Sequence, residues 1–264
     1  MSKVQVQSAG FLLELSQDWL ILRASENAHG FLGEYHQRLV GEPLSRFTLA
    51  QSLHDLRNSL SRQRGSSGIS RAYRVRLIDE PRYFDIAFQS LESTILIEGL
   101  PSADAGFGEY LGSVGRLLER LPLQNRQTAM DGAARCMRAL TGFDRAVLTI
   151  GEDRVESSRG KLPELQTSGE LPQIVADATS DEVIVFPRDN DKGVDAALLR
   201  APTTEQLQAL RSSGIRSVLG GPIFRDGEMI GRFQCDNRTA MPPSFEQHAA
   251  AELFAQMFGM LLPG

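Results

Sequence analysis

Cysteine and tryptophan are scarce in this sequence, with two of the first and one of the second in 264 residues. Cys136 and Cys235 stand 99 positions apart, without a C-x-x-C pair or a histidine at ligand spacing. That pattern excludes a disulfide scaffold and a zinc site alike, and both thiols are expected to be reduced and structural. Long apolar runs are missing too, none approaching the roughly 20 residues needed to span a bilayer. The opening MSKVQVQSAG carries one lysine and no apolar core, so it does not read as a secretion signal, and a cytoplasmic location with no membrane partner is expected. Positive charge is also short: 28 Lys and Arg against 33 Asp and Glu leave a net charge of −5, which repels a phosphate backbone. One cluster departs from this balance, the arginines 57, 62, 64, 71, 74 and 76. No aromatic ladder or recognition helix accompanies them, so they read as a solvated face, and nucleic acid is not an expected partner.

Catalytic signatures are lacking as well. GFGEYLGSVG has the glycines of a phosphate loop but not its lysine, and no βαβ unit follows. No serine sits in a G-x-S-x-G elbow, and no two carboxylates have neighbours that would separate their pKa values. His29, His36, His54 and His248 are scattered and are expected on the surface or in caps rather than on a metal. Cys235 has no cationic or basic neighbour to activate it, and Cys136 lies on an apolar stripe with Met137 and Leu140; both read as packing residues. No enzyme activity is expected.

What is present is the composition of a globular protein, 41% hydrophobic and 23% charged, with length enough for two cores. GFLLELSQDWLILRAS reads as strand, turn, strand; ENAHGFLG and LAQSLHDLRNSLSRQ carry helical spacing; RAYRVRLI, RYFDIAFQSLES and TILIEGL read as three consecutive antiparallel strands. After Pro101 the composition turns glycine-rich and then amphipathic through Leu111, Val114, Leu117, Leu118 and Leu121. A second helix ends at Thr141-Gly142, DRAVLTIG and DEVIVF read as strands, and TTEQLQALRSSG as a helix with a Thr203-x-x-Gln206 capping box. SVLGGPIFRDGEMIGRFQC is a hairpin turning at Asp226-Gly227. The last helix, capped by Ser244, carries Phe245, Ala249, Leu253, Phe254, Met257, Phe258, Met260 and Leu261, more than the roughly 100° stripe a core needs. The fold class is therefore α+β in two domains: residues 1–104 around an antiparallel sheet, a helical linker over 105–125, and residues 126–264 with helices flanking a second antiparallel sheet.

Specific segments carry a family likeness. RCMRALTGFDRAVLTIG resembles the opening of the chromophore-binding GAF domain of bacterial phytochromes, LRSSGIRSV resembles that family's L-R-N-M-G-x-x-x-S, and GRFQCDNRT resembles its G-L-I-A-C-H-H-R-T. LVGEPLSRF and RYFDIAFQSLESTILIEGLPS resemble the PAS domain that precedes it. The resemblance implies a PAS-GAF sensory module whose pocket, in the family, holds a bilin through a cysteine thioether, histidines, an aspartate carbonyl and propionate-binding arginines. Carried onto this sequence, Gln206 stands where the family has the S-P-x-H histidine and Leu207 where plant-type members have the attachment cysteine. Asp236 and Asn237 replace the two histidines of C-H-H, Glu170 in Gly169-Glu170-Leu171-Pro172 stands nearest the S-D-I-P acid, and Arg200 in LLRAPT matches a propionate-binding arginine. Arg216, in LRSSGIRSV, is grouped with the same pocket. No cysteine precedes Gly10, and Asp236 is expected to oppose a bilin's carboxylates. Bilin is therefore not an expected cofactor. The resemblance implies a chromophore-less, light-independent regulatory module, or alternatively a receptor for a small ligand, or an atypically held bilin, with Arg200 as an anion clamp. The partners it implies are a second copy, through helices 107–140 and 244–262, and a downstream output domain or protein. The stretch from VFPRDN to LLRAPT is shorter than the family's, where a loop there is threaded by the N-terminal segment.

Overall fold

The computed structural model describes residues 5–62, 68–102, 108–187 and 193–263. Its first elements are β1 (Gln5–Gln7), β2 (Phe11–Ser16), β3 (Ile21–Ser25), α1 (Ala28–Leu32), α2 (His36–Leu39), α3 (Ala50–Ser61), β4 (Ile69–Val75), β5 (Phe84–Ser90) and β6 (Thr94–Pro101). There follow α4 (Glu109–Leu118), α5 (Arg126–Thr141), β7 (Arg145–Ile150), β8 (Asp153–Ser158), β9 (Ile174–Val175), β10 (Glu182–Phe186), α6 (Thr204–Ser212), β11 (Ser217–Arg225), β12 (Glu228–Asn237) and α7 (Phe245–Leu261). They divide into two units, Met1–Ala103 with Ser180–Ala201, and Asp104–Thr179 with Pro202–Gly264. The boundary expected near residue 104, and Arg64 of the arginine cluster, lie outside the described residues.

The first unit is a seven-stranded antiparallel sheet in the order β1-β10-β3-β2-β6-β5-β4. Alternation along its strands sends Phe11, Leu13, Leu15, Phe84, Ile86 and Phe88 to one face, where they meet Leu53 and Leu56 of α3. Gly99 lies opposite Phe11 in the register, and a Cβ there would stand 2.2 Å from the ring, so only glycine leaves room for it. The six arginines behave as a solvated face where they are described: Arg57 lies 5.1 Å over Trp19, Arg74 lies 5.4 Å over Tyr83, and Arg76 pairs with Asp79 at 2.8 Å. His36 departs from the surface expectation, being buried with its ring 5.2 Å from that of Phe186.

The opposite face holds Val6, Leu12, Leu96, Val185, Val194 and Ala197, and two of its strands were not legible as members of this sheet. DEVIVF, expected in the second domain, is β10 and pairs with both β1 and β3. On the other edge of β1, the Gln7 amide donates to the Leu199 carbonyl and the Ala201 amide to the Gln5 carbonyl, each at 2.9 Å. The N-terminal strand is thus held on both edges by the outgoing and returning arms of a single excursion, 180–201, that interrupts the second unit in sequence. The turn of the excursion, 188–192, lies outside the described residues.

Glu98 secures the returning arm. It is 2% exposed, and its two carboxyl oxygens accept the amides of Leu198 at 3.0 Å and Leu199 at 2.7 Å. Burial pushes its pKa from an ordinary 4.5 up to about 7, with the two amides and Arg71 pulling the other way.

In the second unit, Asn125 caps α5 by accepting from the Thr128 amide at 3.0 Å, and Gly142, at φ 72°, ends it. The five-stranded sheet runs β8-β7-β12-β11-β9, and the β11–β12 hairpin turns at Asp226 and Gly227 with φ of 52° and 84°, as the sequence requires. Leu148, Ile150, Leu219, Ile223, Phe233 and Cys235 form its buried apolar positions. α7 packs on β11, and α4, within the stretch expected as a linker, packs on α5 and α7. Gly259 makes the helix–strand approach possible, since a Cβ there would lie 2.2 Å from the Phe224 carbonyl oxygen. His248 is again buried rather than exposed, its Nε2 3.2 Å from the Gly220 carbonyl oxygen. The excess apolar surface expected on the last helix is there: Leu253, Met260 and Leu261 are 39%, 60% and 42% exposed, beside Leu111 of α4 at 37%. No helix among the described residues is long and apolar enough to cross a membrane.

Between the ordinary carboxyl pKa and about 7, the native first unit binds one proton more than the unfolded chain, so its stability falls as pH rises through that window, by on the order of 3 kcal/mol in full. Trp19, the single tryptophan, lies in this unit's core, and its fluorescence during urea unfolding reads the unit directly. We expect a lower midpoint at pH 8 than at pH 5, and a flat profile in Glu98→Gln; a midpoint that climbs with pH would show the carboxylate to be the favoured form.

Candidate functional site

The sheet of the second unit has two unlike faces because β7, β8 and β12 alternate. On β12, Arg232, Gln234 and Asp236 share one face, while Phe233 and Cys235 take the other. The register sets these against neighbours in three cross-strand rows: Arg154, Thr149 and Arg232; Glu156, Val147, Gln234 and Gly220; Ser158, Arg145, Asp236 and Val218. Charge on the central strands of a sheet is costly unless paired. Asp236 is fully buried, and its Oδ2 accepts from Arg145 Nε at 2.8 Å and Nη2 at 2.7 Å, while its Oδ1 accepts from Gln234 Nε2 at 2.8 Å. Burial pushes the Asp236 carboxyl up, and Arg145 and Gln234 pull it down. Arg145 then reaches beyond the sheet, its Nη1 donating to the Pro163 carbonyl at 2.9 Å.

That last bond anchors a cover. Residues 162–173 pass over the polar face and leave a partly open cavity of about 380 Å³, lined by Glu164, Leu165, Thr167 and Glu170 of the cover and by Val147, Thr149, Gly220 and Gln234 of the sheet. Gly220 contributes no side chain to its floor. The second anchor is Gln206. Its Oε1 accepts from the Thr203 amide at 3.0 Å, completing the capping box of α6, and its Nε2 donates to the Glu170 carbonyl at 3.0 Å and the Ser168 carbonyl at 3.3 Å. Every polar function of this buried glutamine is spent on the backbone.

The other expected site residues divide. Leu207 is packed in an apolar cluster with Val175, Leu210, Ile215 and Val218. Asn237 accepts from the Asp144 amide at 3.0 Å and donates to Thr239 Oγ1 at 2.9 Å. Glu170 lines the cavity and pairs with Arg232. Arg216 does not line it: Nε donates to Asp177 Oδ1 at 3.0 Å, and that guanidinium holds the Asp177 carboxyl down to about 2. Arg200 belongs to the first unit, where its backbone bridges Val6, and it is not among the cavity residues. The expected repulsion by Asp236 is also corrected, since the carboxylate is paired with Arg145 and does not line the cavity. Cys235 is fully buried beside Thr141, and burial pushes its thiol up to about 12, which leaves no thiolate. Cys136 is half-buried rather than in the core, its thiol 3.7 Å from the Leu117 carbonyl oxygen. Among the described residues no group of three or more His, Cys, Asp or Glu side chains is placed to hold a metal.

The fold is shared with known proteins. The model of the GAF domain matches residues 125–262, more than half of the chain, and that of the PAS fold matches residues 2–100. The chain belongs to the GAF domain family. With the PAS fold ahead of it, it is a phytochrome-like PAS-GAF module. Cyanobacterial phytochrome B of Nostoc sp. is 22% identical over 96% of this chain, and a bacteriophytochrome of Pseudomonas aeruginosa is 21% identical over 96%. The chain spans 38% of the length of each of these relatives. Among solved structures, the chromophore-binding domain of a Stigmatella aurantiaca phytochrome superposes with a TM-score of 0.80 at 21% identity, covering 98% of this chain and 96% of that one. The chromophore-binding domain of an unusual bacteriophytochrome from R. palustris gives 0.77 at 24% identity, covering 97% and 93%. At such identities the likeness shows the fold.

The PAS-GAF module's own polar-face residues, Arg145, Arg154, Thr149, Arg232 and Gln234, were missed in the sequence. A signal was present: RFQCDN places polar residues at every second position of a strand that is otherwise apolar, which marks one face as something other than core. We expect Asp236→Ala to destabilise the GAF unit by about 3–5 kcal/mol, since it leaves Arg145 buried and unpaired, and the double change Arg145→Met with Asp236→Leu to recover most of that loss. Urea denaturation followed by circular dichroism measures both, and a near-neutral Asp236→Ala would remove the pair from its structural role.

Proposed function

We infer that this PAS-GAF module is a cytoplasmic, non-enzymatic signalling unit that works without a bilin and independently of light, through contacts with a second copy and with an output domain or partner. One observation supports it above others: the side chains at the places that the family resemblance assigns to pigment binding are committed to the protein itself. Gln206 caps α6 and ties down the cover, Leu207 is core, Asp236 is paired with Arg145, and Asn237 bonds Asp144 and Thr239. Neither cysteine stands at a family attachment place, and the Cys235 thiol is held protonated. A tetrapyrrole entering this cavity would meet hydrogen-bonding groups already filled.

The exposed Leu111, Leu253, Met260 and Leu261 on α4 and α7 of one unit give a second copy an apolar surface to cover. Two measurements test the reading. Co-expression with a biliverdin source is expected to give protein with no covalent adduct on a denaturing gel and no red-to-far-red photoconversion; a photoconverting product would overturn it. Sedimentation velocity is expected to show a dimer at micromolar concentration that Leu253→Glu with Met260→Glu weakens at least tenfold, and a wild-type monomer at high micromolar concentration would overturn dimerisation through α4 and α7.

A further inference from the structure

The cavity under the cover is left unused by signalling through helices, and its charges are arranged unlike those of a pocket that has simply closed. Three arginines line it. Arg145 is taken by Asp236. Arg232 is held by Glu170, with side chains 43% and 55% exposed, and an ion pair so hydrated contributes little and exchanges readily. Arg154 pairs loosely with Glu156 at 3.8 Å, both again well exposed. Arg154 and Arg232 lie in one cross-strand row on either side of Thr149, so their backbones are about 10 Å apart, two strand spacings. A separate observation concerns Gln173, another lining residue, whose side-chain oxygen is buried without a hydrogen-bond partner. A buried acceptor of this kind calls for a donor.

We propose that this cavity binds a small dicarboxylate bearing a hydroxyl or amino group. One carboxylate displaces Glu170 from Arg232, as the planar guanidinium favours; the other meets Arg154; the donor satisfies Gln173 Oε1. Glu170 is then a resident competitor, a carboxylate supplied by the chain itself. Its release frees a cover whose Ser168 and Glu170 carbonyls are bonded to Gln206 at the start of α6, so occupancy is transmitted to that helix. The proposal rests on the inference that no bilin fills the site, and it replaces Arg200 as the anion clamp with Arg232 and Arg154.

Isothermal titration with L-malate, L-glutamate, succinate and inorganic phosphate tests it on the whole chain. L-Malate or L-glutamate is expected to bind saturably, at least fivefold more tightly than succinate, which lacks the donor, and at least tenfold more tightly than phosphate. Glu170→Gln is expected to tighten that binding at least tenfold, and Arg232→Ala to weaken it at least tenfold, with Arg154→Ala intermediate. Glu170→Ala, run alongside, carries the same expectation should the glutamine variant fold poorly. Absence of saturable binding by all four probes to wild type and both Glu170 variants would overturn the proposal, as would binding indifferent to Arg232→Ala. Those failures would leave the absorption of biliverdin-exposed protein unchanged, whereas a photoconverting pigment would defeat the bilin-free reading whatever the titrations gave.

Discussion

The ion pair between Arg145 and Asp236 is the constraint around which the GAF unit is arranged. Two charges removed from water on the central strands of a sheet are tolerated only when each remaining donor and acceptor finds a partner, and here Gln234 and the Pro163 carbonyl supply them. Because the pair is neutral as a whole, the polar face can be roofed by a loop instead of standing open to solvent. Because Arg145 also grips that loop, strand β7, strand β12 and the cover are fixed by one guanidinium. The cavity exists in the space the pair leaves beside it, toward Thr149 and Gly220.

Seen this way, departure from the phytochrome pattern is a rewiring more than a loss. Where the resemblance implies ring-facing histidines, this chain has an amide that closes a capping box and an acid that closes an ion pair. Both side chains place their polarity in intramolecular bonds, which strengthens the frame. The frame itself also rests on backbone devices indifferent to the ligand, such as the glycine that ends α5 and the glycine that lets α7 approach β11.

What could be read in the sequence was local. Thr203 and Gln206, Asp226 and Gly227, and Thr141 and Gly142 each encode a structure spanning two to four residues, and each formed as expected. What could not be read depended on distant partners. β10 has the apolar content of a strand in either unit, and only its pairing with β1 and β3 decides which. Arg200 is assigned to ligand binding by the resemblance alone, and its backbone is drawn to Val6, nearly two hundred positions away. His248 looks like a surface residue until Gly220, on a facing strand without a side chain, offers a carbonyl to it. Glu170, named from the resemblance, lines the cavity, and its partner Arg232 lies 62 positions away on a strand whose pairing the sequence does not show.

The capture of β1 by both arms of the 180–201 excursion bears on how this chain can be divided. A cut near the sequence boundary of the two domains yields no separable halves: the downstream piece carries away β10, the strand that joins β1 to the rest of the upstream sheet, and the upstream piece keeps an N-terminal strand with neither edge satisfied. Each fragment exposes a raw β-edge, the kind of surface that seeds aggregation. Modularity here is a property of the folded object, and any exchange of one sensory half for another must carry the 180–201 excursion with it.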